Sequence, residues 1–170
     1  MSLAEELLEQ SRFLASLDPH NPKQANLRRA VSSAYYAVFH LLAQEVAGRL
    51  THSGPPGLLE KTVRAMNHGS MYRAAGVFSI PGPRPQSLPV DIPLPEMISA
   101  SLSSIATGFR LLQEQRHEAD YNVSHAFDRL EALGLVEIAE NIFQDWNTEK
   151  TSPNAPVFLA SLMFWNLWNK

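Results

Sequence analysis

The segment LRRAVSSAYYAVFHLLA, residues 27–43, shows the pattern that decides the fold of this chain. Its apolar side chains recur every three or four residues, as they do on one face of an α-helix. That face carries Leu27, Val31, Ala34, Val38 and Leu42. Prolines precede the segment and a stretch rich in Gly and Pro follows it, so we predict a helix from residue 23 to residue 49.

The same periodicity covers most of the remaining chain, and no segment alternates apolar and polar residues as a half-buried strand does. The sequence therefore predicts an all-α fold of about five helices plus a short, apolar C-terminal helix. Residues 67–70, Asn-His-Gly-Ser, could break the third helix. The other helices are predicted over residues 3–17, 58–78 and 96–121, from near Ser124 to Trp146, and after residue 156.

Residues 79–95 interrupt this pattern with six prolines in seventeen residues. Proline lacks a backbone N–H and fixes φ, so the segment is predicted to be extended and poor in backbone hydrogen bonds. A loop of this length in a compact domain is either mobile or functional, and the sequence leaves both alternatives open.

Composition limits the possible classes of function. The chain has no Cys, which excludes disulfides, thiol nucleophiles and thiolate metal sites. Its net charge of −3 argues against a broadly basic surface for nucleic acid but permits a small basic patch. The first residues lack the features of a signal peptide, and the apolar stretch at residues 157–168 is too short to span a bilayer. We therefore expect a cytoplasmic protein without a membrane anchor.

The pentapeptide His117-Glu118-Ala119-Asp120-Tyr121 resembles the zinc-protease motif, in which two His residues lie four positions apart on one helix face. Tyr121 stands in the position of the second His, so the pair of metal ligands is lost. A Gly-rich phosphate loop and a serine-hydrolase motif are also missing from the sequence. We therefore expect neither a metal site nor a cofactor.

One stripe of the predicted second helix is polar. Rotation by about 100° per residue places four side chains in line on the face opposite the apolar one: Arg29, Ser33, Tyr36 and His40. A guanidinium, a phenol and an imidazole are groups that bind phosphate, stack on bases or transfer protons. The stripe either contacts another helix and forms hydrogen bonds there or binds a ligand.

A charged residue also falls on the apolar face of the helix predicted over residues 96–121. Arg116 lies in line with Phe109, and Asp120 follows one turn later at the spacing of a helical ion pair. A guanidinium in the core needs such a partner. Arg116 and Asp120 therefore form a structural ion pair, or else Arg116 and His117 border a cleft. A neighbouring polar line of the same helix ends at Tyr121.

Two segments resemble motifs of the bacterial HEPN proteins, in particular the small helical type with an Arg-x-x-Ala-Asp-Tyr segment. Residues 28–40, RRAVSSAYYAVFH, resemble their second-helix signature, and residues 116–121, RHEADY, resemble that segment. Residues 64–69, RAMNHG, are similar to a stretch found in some members. The resemblance extends from Ala4 to Trp146. We therefore assign residues 1–150 to a HEPN-like domain that includes the Pro-rich loop, and residues 151–170 to an apolar helical extension.

The resemblance implies an antiparallel, up-and-down helical bundle that pairs as a homodimer. Many HEPN proteins are metal-independent ribonucleases, often toxins that a nucleotidyltransferase-like partner neutralises. In those enzymes an Arg is followed by a polar residue and, a little over one helical turn later, by a catalytic His. Arg116 and His117 match the first two elements. Tyr121 and Asn122 occupy the place of the catalytic His, and His125 follows them.

We therefore predict a dimeric, HEPN-like module that is non-catalytic or weakly catalytic and binds RNA, a nucleotide or a partner protein. The candidate binding residues are Arg29, Tyr36, His40 and Tyr121. The alternative is a metal-independent ribonuclease toxin of a toxin–antitoxin pair. In that case Arg116 would stabilise the charged transition state, and protons would be transferred by His117, His125 or His40.

Overall fold

The computed structural model of the chain describes residues 1–169 and is all-α, which confirms the predicted fold class. Within these residues the only strand-like pairing is one isolated bridge between Gly82 and Ile98. Seven helices are present in the same range: α1 (Leu3–Ser16), α2 (Gln24–Thr51), α3 (Leu58–Ala65), α4 (His68–Val77), α5 (Ala100–Tyr121), α6 (Arg129–Glu149) and α7 (Ala155–Trp168).

Helix α2 forms where the periodicity predicts it, and its predicted apolar face is fully buried. The five side chains of that face have no exposed surface: Leu27, Val31, Ala34, Val38 and Leu42. Burial of one such large aliphatic side chain contributes about 1.5–3 kcal/mol, so this face is a principal source of stability.

The helix predicted over residues 58–78 is divided into α3 and α4, and the break lies at Asn67, the first residue of the stretch that the sequence indicates as a possible break. Asn67 lies between them in an extended conformation, and its side chain accepts a hydrogen bond from the amide of Ser70 (3.0 Å). An Asn side chain at this position satisfies a free amide of the first helical turn, which favours a new helix start over continuation of the old one.

The starts of α5 and α6 also differ from the prediction. Helix α5 begins at Ala100 rather than residue 96, because the Ser99 hydroxyl accepts from the amide of Leu102 (3.0 Å) and caps the helix there. The predicted cap of α6 at Ser124 is wrong. Asp128 and Glu131 accept each other's amide N–H at 2.8 and 2.9 Å, so the capping box starts the helix at residue 129.

The chain divides into two compact units, and each unit combines two stretches of sequence. Unit 1 consists of Met1–His40 and Gly108–Phe143, and unit 2 of Leu41–Thr107 and the chain from Gln144 onward. Helices α2, α5 and α6 contribute residues to both units. The apolar helix α7 belongs to unit 2, where the Phe158 ring contacts the rings of Phe78 and Trp146.

The Pro-rich segment in unit 2 folds around an arginine. The Arg84 guanidinium donates to the carbonyl of Leu88 (3.1 Å) and to the carbonyls of Pro89 and Ile92. Leu88 itself is buried. A guanidinium carries five N–H donors, so one side chain can satisfy several carbonyls in a stretch where prolines provide no amide.

None of the helices within residues 1–169 is both long enough and apolar enough to cross a membrane.

Candidate functional site at the carboxyl end of helix α5

The end of α5 is held by an arginine from α2. Arg28 Nη1 donates to the carbonyls of Ala119 (2.7 Å) and Glu118 (3.4 Å), and Arg28 Nη2 donates to the carbonyls of Asn122 (2.8 Å) and His125. The last four carbonyls of a helix have no partner within the helix. Arg28 therefore supplies donors to the final turn of α5 and to the residues that follow it.

One turn before this end, Arg116 contacts three tyrosines and an aspartate of unit 1. Its Nη2 donates to the hydroxyl of Tyr36 on α2 (2.6 Å), and its Nε lies 2.7 Å from Asp120 Oδ2. The guanidinium carbon lies 5.8, 5.3 and 5.6 Å from the ring centres of Tyr35, Tyr36 and Tyr121. These distances are within the range of cation–π attraction. We call these five residues the Arg116 cluster.

The Arg116 cluster is a partly buried, electrostatically matched group. The Arg116 and Asp120 side chains are 18% and 21% exposed, and the Nε–H does not point at the carboxylate, so the contact is an ion pair. Burial lowers the pKa of the Arg116 guanidinium, but the hydrogen bond to Tyr36 and the nearby Asp120 carboxylate raise this pKa by more. Burial also raises the pKa of the Tyr35 phenol. At neutral pH the cluster therefore holds a cation and a neutral buried phenol.

An exposed aromatic pair, formed by Tyr121 of the Arg116 cluster and the neighbouring His117, lies at the end of α5. Tyr121, the last residue of α5, is 63% exposed, and His117 one turn earlier is also exposed. Their ring centres are 5.0 Å apart at an interplanar angle of 51°. Arg116 lies over the Tyr121 ring at 5.6 Å, so this pair joins an exposed aromatic ring to a fixed positive charge. We call the His117–Tyr121 pair the platform.

The polar stripe of α2 does not act as one surface. Arg29 is exposed, whereas Ser33 is buried and its hydroxyl donates to Gln10 Oε1 on α1 (3.0 Å). Tyr36 is half-buried and accepts from Arg116. Two of the four stripe residues therefore contact other helices, and Arg29 is the stripe's accessible cation.

The candidate imidazoles occupy different environments. The half-buried His40 ring packs edge-on against Phe39, and burial lowers the pKa of this imidazole. The His125 ring packs against Phe127, and its Nε2 is buried without a hydrogen-bond partner. Within residues 1–169, no hydrogen bond or ring contact joins His40, His117 and His125 to one another or to Arg116.

Several arginine side chains near loops donate hydrogen bonds to backbone carbonyls. Arg129 donates to the carbonyls of Ser16 (3.1 Å), Leu17 (2.6 Å) and Asp18 (2.6 Å) at the end of α1. In unit 2, Arg49 donates to the carbonyl of Lys150 (2.6 Å). Arg28 and Arg84 are used in the same way, so four of the ten arginines of the chain donate to backbone carbonyls.

Sequence reasoning missed two residues of the site, Tyr35 and Arg28. Each stands directly beside a residue that was chosen, Tyr36 and Arg29. The Arg-Arg and Tyr-Tyr pairs were a signal that two adjacent faces of α2 carry polar groups. Both tyrosines contact Arg116 of α5, whereas of the two arginines Arg28 donates to the end of α5 and Arg29 is exposed. These contacts depend on the packing of the two helices, and the pattern of α2 alone does not determine them.

In the described part of the chain, no three His, Asp or Glu side chains lie close enough together to hold a metal ion.

Comparison with protein-family models, curated proteins and solved structures finds no match to this chain.

Proposed function

We propose that this protein is a HEPN-like helical module that binds single-stranded RNA or nucleotides at the platform, with little or no catalysis. The observation that carries the proposal is the exposed Tyr121 ring with the Arg116 guanidinium fixed beside it. Aromatic rings that stack on bases beside a positive charge are the usual elements of single-strand binding.

In this proposal, stacking of bases on the platform contributes more to the affinity for RNA than charge does. Stacking of one base on an aromatic side chain contributes about 1–3 kcal/mol and requires no particular base. Arg29 is the exposed cation on the neighbouring helix, and several other arginines hold carbonyls. With few phosphate contacts, binding weakens only gradually as salt concentration rises.

The proposal includes the wider HEPN-like architecture. Arg28 contacts Ala119 and Asn122, whereas Tyr35 packs on Phe109, about three turns before Ala119 in α5. From Arg28 to Tyr35 the position on α2 moves toward its C-terminus, while the contacted position on α5 moves from Ala119 back to Phe109. This order of contacts supports an antiparallel pair of helices within an up-and-down bundle. In this proposal the protein is a cytoplasmic homodimer, and its partner protein is a nucleotidyltransferase-like protein.

Weak or absent catalysis follows from the contacts of Arg116. Metal-independent RNA cleavage needs a base, an acid and a cation that faces the phosphorane. Arg116 already binds Tyr36 and Asp120, and its guanidinium lies over the rings of Tyr35, Tyr36 and Tyr121. One observation favours the ribonuclease alternative, namely the buried His125 Nε2 without a partner in the loop after α5.

Binding to a fluorescein-labelled single-stranded RNA oligonucleotide tests the main proposal. Fluorescence anisotropy should show that Tyr121→Ala weakens binding by about 5–150-fold, the equivalent of one lost stacking contact. Tyr121→Phe should bind like the wild type, because it keeps the ring. Phe13→Ala is the matched control, since Phe13 is a 62% exposed aromatic residue on α1, outside the platform. Equal losses for Tyr121→Ala and Phe13→Ala would contradict the proposal.

A cleavage assay in the presence of a chelator separates binding from catalysis. We expect the wild type to cut single-stranded RNA no faster than background. Arg116→Ala and His125→Ala should then be indistinguishable from it. Robust cleavage by the wild type that both substitutions abolish would favour the ribonuclease alternative, because loss of one transition-state charge donor costs about 100-fold or more in rate.

The dimer is tested separately by light scattering at micromolar concentration. The expected mass is twice the 18.9 kDa of the chain. A monomer would contradict the dimeric part of the proposal and any site shared between two copies.

A further inference from the structure

Helix α5 lacks the features that usually end a helix. No residue after Tyr121 adopts the left-handed conformation of a C-terminal cap, since positive φ angles within residues 1–169 occur only at Asp18, Gly57 and Gly82. The last turn of α5 also contains no basic residue to offset the helix dipole. The Glu118 carbonyl accepts from the Asn122 amide (3.1 Å), so an external group, either a side chain or water, must satisfy the remaining carbonyls of this turn.

Arg28 is that external group. Its two terminal nitrogens contact carbonyls of Glu118 and Ala119 inside α5 and of Asn122 and His125 beyond it. The contacts lie on both sides of Tyr121 in the sequence. The guanidinium also places a positive charge at the negative end of the helix dipole.

We propose that Arg28 is a positioning residue for the platform, holding Tyr121 against Arg116 by fixing the last turn of α5. This inference rests on the proposed function, because the platform is the proposed binding site. Loss of the clamp frays the last turn, and the Tyr121 ring then leaves the 5.6 Å contact with Arg116. Stacking on a mobile ring carries the additional entropic cost of ordering it.

A lysine cannot replace Arg28 in this role. The guanidinium is a rigid, planar fork that donates to carbonyls on two sides at once, whereas an ammonium is a point charge on a flexible stem. Arg28→Lys keeps the charge at the helix end but loses the simultaneous contacts to Ala119 and Asn122. Arg28→Met keeps the length of the side chain and loses both the charge and the contacts.

Arg129→Met is the matched control, because Arg129 donates in the same way to three carbonyls, but at the end of α1 rather than at the end of α5. Two quantities are measured for each variant at a temperature where it is folded. One is the affinity for the labelled single-stranded RNA. The other is hydrogen exchange at the amides of Asn122 and His125, whose bonds to the Glu118 and Asn122 carbonyls measure 3.1 and 3.2 Å.

The expected result is faster exchange at both amides in Arg28→Met, with a loss of affinity as large as that of Tyr121→Ala. Arg28→Lys should behave more like Arg28→Met than like the wild type. Arg129→Met should lose stability and keep its affinity. These three results together support a positioning role, because a merely structural arginine would not lower affinity selectively.

Two outcomes would overturn the inference, and they differ from failure of the proposed function. Faster exchange in Arg28→Met with unchanged RNA affinity would show that the clamp does not serve the platform. Unchanged exchange would show that Arg28 does not hold the helix end. If the wild type does not bind the RNA, the proposed function fails and the positioning role fails with it, whatever the exchange data show.

Discussion

Replacing Glu149 with Ala is expected to destabilise unit 2 by about 3–5 kcal/mol. Glu149 is only 5% exposed, and its carboxylate accepts hydrogen bonds from the hydroxyls of Ser99 (2.8 Å) and Ser152 (2.6 Å). A hydrogen bond to a charged group contributes about 1.5–3 kcal/mol, and the substitution removes two of them. The same hydroxyls accept from the amides of Leu102 and Ala155, so the carboxylate supports the first turns of α5 and α7.

The measurement is urea unfolding followed by tryptophan fluorescence, which reports on unit 2 because the three tryptophans of the chain, Trp146, Trp165 and Trp168, all belong to it. Glu149→Gln should lose about half as much stability, since the amide retains one oxygen as an acceptor. Asp145→Ala, one turn earlier on α6, is the control and should change the free energy of unfolding by less than about 0.5 kcal/mol.

The slope of the free energy against urea should be the same for all these variants, because each changes stability and not the surface exposed on unfolding. A loss below about 0.5 kcal/mol for Glu149→Ala would refute the reasoning. It would mean that the two serine hydroxyls find other acceptors at no cost and that the carboxylate does not hold the helix starts.

Three further predictions concern unit 1. Asp120→Ala should destabilise the protein by about 1–2 kcal/mol, because the Arg116–Asp120 ion pair is more buried than a surface ion pair and less buried than one in the core. The measurement is urea unfolding followed by circular dichroism, and a change below about 0.5 kcal/mol would show an ordinary surface ion pair. Burial raises the pKa of Tyr35 above its ordinary 10.0, so the wild type should lose stability as pH rises above that value. Tyr35→Phe should not show that alkaline loss in urea midpoints measured from about pH 8 to about pH 11. Burial lowers the pKa of His40 below its ordinary 6.5, so the free energy of unfolding should fall as pH falls below that value. If His40→Gln loses stability with falling pH as steeply as the wild type does, His40 is not the cause.

The sequence predicts the helices well where burial decides them and poorly where capping does. The apolar face of α2 is predicted correctly because the residues that recur at helical spacing are also the buried ones, from Leu27 to Leu42. The break at Asn67 and the start of α6 depend instead on single side-chain-to-amide hydrogen bonds. Several polar residues near a helix end can form such bonds, so the sequence pattern favours Ser124 as the cap although Asp128 forms the bond.

The site shows the same division between local and tertiary information. The spacing of Arg116 and Asp120 is local to one helix, so the pattern alone suggests their contact, and the structure has an ion pair there. The contacts of Tyr35 and Arg28 depend on how α2 faces α5 within unit 1. The periodicity of α2 does not determine which of its faces lies against α5, so these contacts become evident only when the two helices are packed.

The two sequence motifs that resemble HEPN proteins make contact with each other through this packing. The α2 motif supplies Tyr35 and Tyr36 to Arg116, and Arg28 to the end of the α5 motif. Either motif alone would be incomplete, because α5 would lose the Arg28 donors at its end and Arg116 would lose its hydrogen bond to Tyr36 and its contact with the Tyr35 ring. A partly buried guanidinium with fewer partners carries a higher desolvation cost, so changes in one motif constrain the other. This mutual dependence gives a physical reason for the two motifs to occur together, whether the platform they support binds RNA or only holds the fold.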